Sequence, residues 1–318
     1  MIHKNHLKRT AFFSVHEKEK RNKKMVGAIL GDIIGSRFES KNTLLRNAFK
    51  SKDFELFYDS SEATDDSIMT MAIAKAVWNS RNDFSRLGEN AVASMQEFGR
   101  KVKYARYGGT FRSWIWNDNP RAYNSFGNGA AMRVSPVAFA ARTLEDCHRF
   151  ATAVTEVTHN HPEGIKGGCC EAECVWLAKN GTSKSEIKNH VEKNYYDLNF
   201  TIDEIRPKYM WDVTCQGSLP QAIKCFLESD SYEDAVRLAV SLGADSDTQA
   251  AMAGAIAEAF YGLPEKSHKI AEEYCLPEMF CYVQALEYLY NGYRGELLKE
   301  SEKLLEGENL PGDDGKIL

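Results

Sequence analysis

The 318-residue chain has no run of 18 or more apolar residues, so no segment is suited to cross a bilayer as a helix. Its first two dozen residues offer only Ala11-Phe12-Phe13 as an apolar run, too short for the core of a secretion signal. No Cys-x-x-Cys pair occurs among the eight cysteines, and the ligand spacing of structural zinc is missing with it. A zinc site built from His159, His161 and cysteines is therefore disfavoured. Cys170 and Cys174 fall on one helix face, where a disulfide is not expected. Together these absences predict reduced thiols in a cytoplasmic protein. No Ser-His-Asp or Cys-His arrangement is legible either, which leaves covalent catalysis by those routes unsupported.

Positive charge is scarce after the first 24 residues. The formal net charge is −5, and residues 1–24 carry eight Lys/Arg against Glu17 and Glu19, so the remainder is −11. An acidic body argues against general duplex nucleic-acid binding. Residues 1–24 show no apolar periodicity and read as a disordered basic arm. Met25 immediately precedes the first patterned stretch, so a start assigned too early would explain the same segment. The polar tail 306–318, with Pro311, Gly312 and Gly315, also reads as disordered. Between them, residues 25–305 contain no linker and no internal repeat, and 43% of the chain is hydrophobic, enough for a sizeable core. The expectation is one all-α domain.

Two stretches stand out from that background. In the first, Leu242-Gly243-Ala244-Asp245-Ser246-Asp247-Thr248 opens a segment with Met252, Ala255, Ile256, Ala259 and Phe260 at helical spacing. Gly262 and Pro264 stop it, while Ala250, Ala251, Ala253, Gly254 and Ala257 keep its other faces thin. In the second, Thr64-Asp65-Asp66-Ser67 opens a helix with Met69, Ala72, Ile73, Ala76 and Val77 inward. Asp, Ser and Thr at a helix start ordinarily cap the orphan N–H groups there. Two paired sets of aspartates exceed what capping needs, and if they met they would repel strongly. Hard divalent cations, which take carboxylate and hydroxyl oxygens, would relieve that repulsion.

The remaining pattern is helical almost throughout. Val26, Ile29, Leu30, Ile33 and Ile34 form an apolar stripe, and Gly27, Gly31 and Gly35 form a second one four residues apart. Glycine is costly inside a helix, so that stripe predicts close backbone packing or a nearby ligand. Glu39 continues the same line. Residues 107–129 read as a long glycine- and aromatic-rich loop of the functional kind. Within it, Gly127-Asn128-Gly129 before a helix would offer free backbone N–H groups to a pyrophosphate; an ordinary glycine turn is the alternative. A helix at Ala130–Ala141 is expected to bend or restart at Pro136. His159 reads either as a ligand contact or as a C-terminal helix cap, and His161 before Pro162 as structural. Of Trp114 and Trp116, at least one belongs in the core. Residues 195–218 are irregular and the best place for a short strand, followed by helices near 220–228, 232–242, 248–261, 266–274 and 278–305.

Five ordered motifs resemble the ADP-ribosylglycohydrolases. They are Gly27-Ala28-Ile29-Leu30-Gly31-Asp32, Thr64-Asp65-Asp66, Gly127-Asn128-Gly129-x-x-Met132-Arg133, Thr158-His159-Asn160-His161-Pro162 and Gly243-x-Asp245-Ser246-Asp247-Thr248. The resemblance implies a compact orthogonal multi-helix domain with a binuclear metal cleft, holding two Mg²⁺ or Mn²⁺ ions. It implies hydrolysis of the N- or O-glycosidic bond joining ADP-ribose to a protein or small-molecule acceptor, by water activated at the metals. Thr64, Asp65, Asp66, Asp245, Asp247 and Thr248 would be metal ligands, with Glu39, Asp65 and Asp247 catalytic, Glu39 through metal contact or acid–base work. Tyr107, Gly108, Gly109, Gly127, Asn128, Gly129, Met132 and His159 would contact substrate. Many members have glycine and threonine where this chain has Ala244 and Ser246, and an apolar residue in place of Gln249, departures that bear on substrate preference. Two rival readings are a two-metal phosphohydrolase cutting an ADP-ribose-like pyrophosphate and a non-enzymatic ADP-ribose-binding protein.

Overall fold

Glycine at every fourth position lets two helices touch backbone to backbone, and the fold is built on that contact. In the computed structural model, which describes residues 24–39, 47–290 and 305, Gly27–Ser36 forms α1, and all ten of its residues are buried. It runs antiparallel to a helix at Ser246–Tyr261. A Cβ at Gly27 would fall 2.5 Å from the Gly254 carbonyl oxygen, one at Gly35 would fall 2.5 Å from that of Ser246, and one at Gly31 would overlap Ala250. The glycine stripe is therefore explained by backbone packing. Ile29, Leu30, Ile33 and Ile34 fill the other side of α1 with no exposed surface, each contributing about 1.5–3 kcal/mol of burial.

The described helices continue as α2 (Asp65–Asn79), α3 (Leu87–Lys101), α4 (Gly109–Ile115), α5 (Ser135–Ala140), α6 (Leu144–Thr155) and α7 (Pro162–Lys179). They are followed by α8 (Lys184–Asn194), α9 (Ile202–Ile205), α10 (Cys215–Glu228), α11 (Tyr232–Ser241), α12 (Ser246–Tyr261), α13 (Lys266–Tyr274) and α14 (Pro277–Tyr290). Helix α12 is the hub: α1, α2, α7, α10 and α11 all lie against it. Its residues Ser246 to Ala259 are all buried, which requires the thin alanine faces read from the sequence. Ser183–Glu186 closes a capping box at α8, as its spacing predicts, and Gly262 ends α12 with φ +76°. The chain is all-α, and no helix among the described residues is long and apolar enough to cross a membrane.

Four local expectations change. No strand forms at 195–218 among the described residues. That segment holds α9 and a single antiparallel bridge between Gly127 and Thr214, because one bridging pair gives no ladder to extend. Helix α10 starts at Cys215, with Pro220 inside it. Of the two expectations for Pro136 the restart holds: it lies in the first turn of α5, where a missing N–H costs nothing. The 107–129 loop contains α4, whose Phe111 and Trp114 stack at 5.5 Å; Trp114 is core and Trp116 is half exposed. Lys24, counted with the basic arm by its charge, is buried and ion-paired to Glu265 at 2.8 Å. Residues 1–23 of the arm and the tail 306–318 lie outside the described residues, as does the continuation of α14 toward 304. All eight cysteines are free thiols.

Candidate active site

The two acidic helix starts meet. Antiparallel packing brings the C-terminal end of α1 beside the N-terminal end of α12, and α2 begins against both. Asp32, Asp66 and Asp247 place one carboxylate oxygen each within 4.8 Å of one another, and Glu39, Asp245 and Asp247 do the same. Asp247 belongs to both groups. Glu39 follows α1 by one turn beyond Gly35, whose missing side chain lets Asp247 approach.

Capping does not exhaust these aspartates, although Asp247 Oδ1 accepts the Thr248 N–H in the first turn of α12 at 3.0 Å. Thr64 and Asp245 occupy the N-cap positions of α2 and α12, yet neither makes a side-chain cap bond. The Thr64 hydroxyl donates to Asp32 Oδ1 at 2.7 Å, and its backbone N–H donates to Oδ2 at 2.8 Å. The Ser67 N–H donates to the same oxygen at 3.0 Å, joined by its own hydroxyl. The Thr248 hydroxyl donates to Asp66 Oδ2 at 3.2 Å. Asp66 Oδ1 is buried with no hydrogen-bond partner. An orphaned carboxylate oxygen costs more than a made hydrogen bond gains, and these acidic groups could hold a cation.

Burial dominates the electrostatics. It pushes Asp32 up to about 6 against the hydrogen bonds from Ser67 and Thr64. Burial, then Asp32 and Asp245, push Asp65 up to about 7. Asp66 and Asp247 are driven well above the ordinary carboxylate range, again by burial first and by neighbouring carboxylates second. Such crowding is the signature of a site that either holds protons or holds metal. The donors are all hard oxygen, which suits Mg²⁺ or Mn²⁺ and not a soft ion. The structure brings Thr64, Asp66, Asp245, Asp247 and Thr248 together. Asp65 is in neither group; it is half-buried beside them.

The glycine loop joins the same cleft. Asn128 Nδ2 donates to Asp245 Oδ2 at 2.6 Å. The loop's backbone amides are less available than the sequence suggests. The Gly127 N–H donates to Ser125 Oγ at 3.2 Å, and the Asn128 N–H donates to the Val213 carbonyl at 2.8 Å, because the bridge to Thr214 anchors the turn. The Val213 carbonyl thus takes an amide that a pyrophosphate would otherwise use.

What faces the loop instead is His159. A Cβ at Gly129 would lie 3.4 Å from its Nε2, and one at Gly127 would lie 3.6 Å away. Arg133 donates to the Thr158 hydroxyl at 2.7 Å, and that hydroxyl lies 2.7 Å from His159 Nδ1, with Arg133 itself 3.2 Å from the same nitrogen. A guanidinium only donates, so Nδ1 accepts and the proton sits on Nε2. Burial, then Arg133, hold the imidazole well below its usual range. His159 is a neutral N–H donor aimed at the glycine loop. It sits just past the end of α6, where its backbone N–H donates to the Thr155 carbonyl at 2.9 Å; its side chain is not spent as a cap. His161 is structural, accepting from the Glu163 N–H at the start of α7.

Tyr107 is buried and its hydroxyl lacks a partner; burial, then nearby Asp65, raise it above the usual phenol range. Met132 is buried beneath Gly129. Gly108 and Gly109 are exposed, with open space where a side chain would go.

Two participants escape the sequence reading. Asp32 stands inside a motif but was assigned no role. The signal was available, because an aspartate in an otherwise apolar, fully buried helix must be satisfied by something. Arg106 gave no comparable signal. It comes from the segment after α3 and donates to Glu39 Oε2 at 2.7 Å and to the Ser36 carbonyl at 2.8 Å. It also pairs with Glu62 and lies 3.6 Å from Asp247 Oδ2. Only folding brings it there.

Comparison with known proteins places the chain in a family. The family model of the ADP-ribosylglycohydrolases matches residues 18–294. The chain is 27% identical to the human ADP-ribosylhydrolase ARH3, over 79% of this chain and 88% of that protein. It is 27% identical to the ADP-ribosylarginine hydrolase Tri1 of Pseudomonas putida (strain GB-1), over 78% of this chain and 73% of that one. A solved structure described as an ADP-ribosylglycohydrolase-related protein complex superposes with a TM-score of 0.61 at 20% identity, covering 88% of this chain and 99% of that chain. The superposition bears on the fold.

Proposed function

The chain belongs to the ADP-ribosylglycohydrolase family, and from that premise we propose that it releases ADP-ribose from an acceptor by metal-dependent hydrolysis of an N- or O-glycosidic bond. The observation that carries this reading is the Asn128–Asp245 hydrogen bond of 2.6 Å. It ties the glycine loop and the acidic cluster into one cleft. A ligand with its pyrophosphate at Gly129 and the His159 Nε2–H then offers its ribose, and not its phosphorus atoms, to the carboxylates.

Asp66, Asp245 and Asp247 would hold the cations, with Asp247 shared and Asp32 and Glu39 completing the two groups; Thr64, Asp65 and Thr248 would offer further oxygens beside them. When bound, divalent cations supply Lewis acidity to the oxygens they contact. The chain's own groups do the rest. Glycosidic cleavage develops positive charge on the ribose, which the carboxylates of Asp65 and Asp247 stabilise. Glu39, held by Arg106, takes the proton from the attacking water and passes it to the acceptor atom as the glycosidic bond to that atom breaks. Tyr107 and Met132 wall the cleft against solvent, and exposed Gly108 and Gly109 leave its mouth open to the acceptor.

Incubation with a panel of ADP-ribosylated proteins and small molecules, with Mg²⁺ or Mn²⁺, tests the reading. Intact ADP-ribose is the expected product. AMP with ribose phosphate would instead establish a phosphohydrolase, and binding without turnover an ADP-ribose-binding protein.

A further inference from the structure

The two carboxylate groups are not equivalent. Asp32 and Asp66 are surrounded by hydroxyl and amide donors from Thr64, Ser67 and Thr248, and Asp66 Oδ1 remains unmet. Glu39, Asp245 and Asp247 are already served. Asn128 donates to Asp245, and the Arg106 guanidinium bonds Glu39 at 2.7 Å and approaches Asp247 to 3.6 Å. That guanidinium carries a full positive charge in the position where a cation shared by Glu39 and Asp247 would feel it most.

We propose that Arg106 is a built-in competitor for the Glu39–Asp245–Asp247 group, so that the two cation positions differ in affinity and Glu39 stays tethered until the weaker one fills. This rests on the metal-dependent reading above. A divalent ion entering that group must either weaken the Arg106 pairs or bear the repulsion of a guanidinium nearby, and either cost lowers its affinity. The Asp32–Asp66–Asp247 group meets Arg106 only through the shared Asp247, at 3.6 Å, and no ion pair to Asp32 or Asp66 forms among the described residues. Glu62, 60% exposed at the rim, also pairs with Arg106, and so keeps the guanidinium partnered when Glu39 is released. Arg106 is a positioning residue in this scheme and touches no reacting atom.

Calorimetric titration of the chelator-stripped full chain with Mn²⁺, paralleled by electron paramagnetic resonance of the free ion, reads both positions without an activity assay. Wild type should show one tight and one weaker site. Arg106→Gln should strengthen the weaker site by about 10-fold, the size of coupling common between linked sites, and leave the tight one within about twofold. Arg106→Lys, which keeps the charge but loses the fork, should fall between. Because Arg106 also holds the Ser36 carbonyl, Glu62→Gln provides an independent reading: it removes the outer partner only, and should weaken the second site further. Two Mn²⁺ sites in wild type with no change in the weaker site of either variant would overturn this inference alone. A wild-type chain that binds no Mn²⁺ would overturn the metal-dependent function and this inference with it.

Discussion

The α1–α12 pair carries buried acids at both ends, and the two ends solve the problem of buried charge differently. At the Gly27 end, Glu258 of α12 accepts from the Gly27 N–H through Oε2, while its Oε1 has no partner. Glu287 of α14 accepts from the Met25 N–H at 2.7 Å and lies 3.4 Å from His268. These carboxylates sit at the start of α1, where orphan N–H groups and the helix dipole welcome an acid, and burial, then Glu287, push Glu258 up to about 8. At the Gly35 end, Asp32, Asp66 and Asp247 crowd together, and Asp66 Oδ1 has no donor. One stray oxygen among backbone donors favours the protonated form. Several acids converging on one point could hold a cation as well as protons.

The sharpest way to break this contrast is Asp247→Asn, because Asp247 alone joins both groups. Turnover should fall by about 10³-fold or more, in line with loss of a charged ligand and a catalytic carboxylate together. The same variant, chelator-treated, should melt a few degrees above chelator-treated wild type, since it removes a repelling charge. Scanning calorimetry with and without Mg²⁺ checks both halves; a lower metal-free melting point would show that the crowding is already relieved within the chain.

At the other end the sign reverses. Glu258→Ala strands the N–H groups of Val26 and Gly27 that its carboxyl group accepts from and leaves a void. It should cost about 2–4 kcal/mol in urea unfolding, while Mn²⁺ affinity stays at the wild-type value. A change in that affinity would mean that the two ends communicate along the helix pair.

Acidity offers a finer test. Burial, then Glu287, push Glu258 up to about 8, whereas in the unfolded chain it titrates near about 4.3. The folded chain therefore keeps a proton that the unfolded chain releases. This contribution to stability is full below the unfolded value and is lost as pH rises through about 8. Wild type should lose stability relative to Glu258→Gln across that window, by at most about 1.4 kcal/mol per pH unit. Parallel urea curves for the two proteins at several pH values, all with chelator, give the difference directly. A constant difference would show that Glu258 is ionised throughout.

The smallest expected effect lies on the turn before α12. Ala244 has φ +61°, next to Gly243 at +65°, a conformation that disfavours any side chain. Ala244→Gly should stabilise the fold by about 0.5–1 kcal/mol once the added chain entropy of glycine is subtracted. A loss of stability would mean that the Ala244 methyl, which is fully buried, contributes more by packing than it costs in strain.

Much of this was legible in the residues alone. Helical periodicity, the glycine stripe of α1 and the alanine faces of α12 specify which surfaces are buried and how closely two backbones can approach, because these are local properties of side-chain size and spacing. The two Asp-rich helix starts, with Glu39 on the glycine line, likewise appear as a pattern that capping does not exhaust. Tertiary structure alone decided which oxygens meet. It turned Thr64 away from capping and toward Asp32, gave Asp247 to two groups at once, used the Asn128 amide to anchor a turn, and brought Arg106 from 67 positions away against Glu39. The physical reason is that periodicity reports whether a residue faces inward but not what it will face. Charge pairing and desolvation act through distances of a few ångströms, and those distances exist only once α1, α2 and α12 have closed on one another.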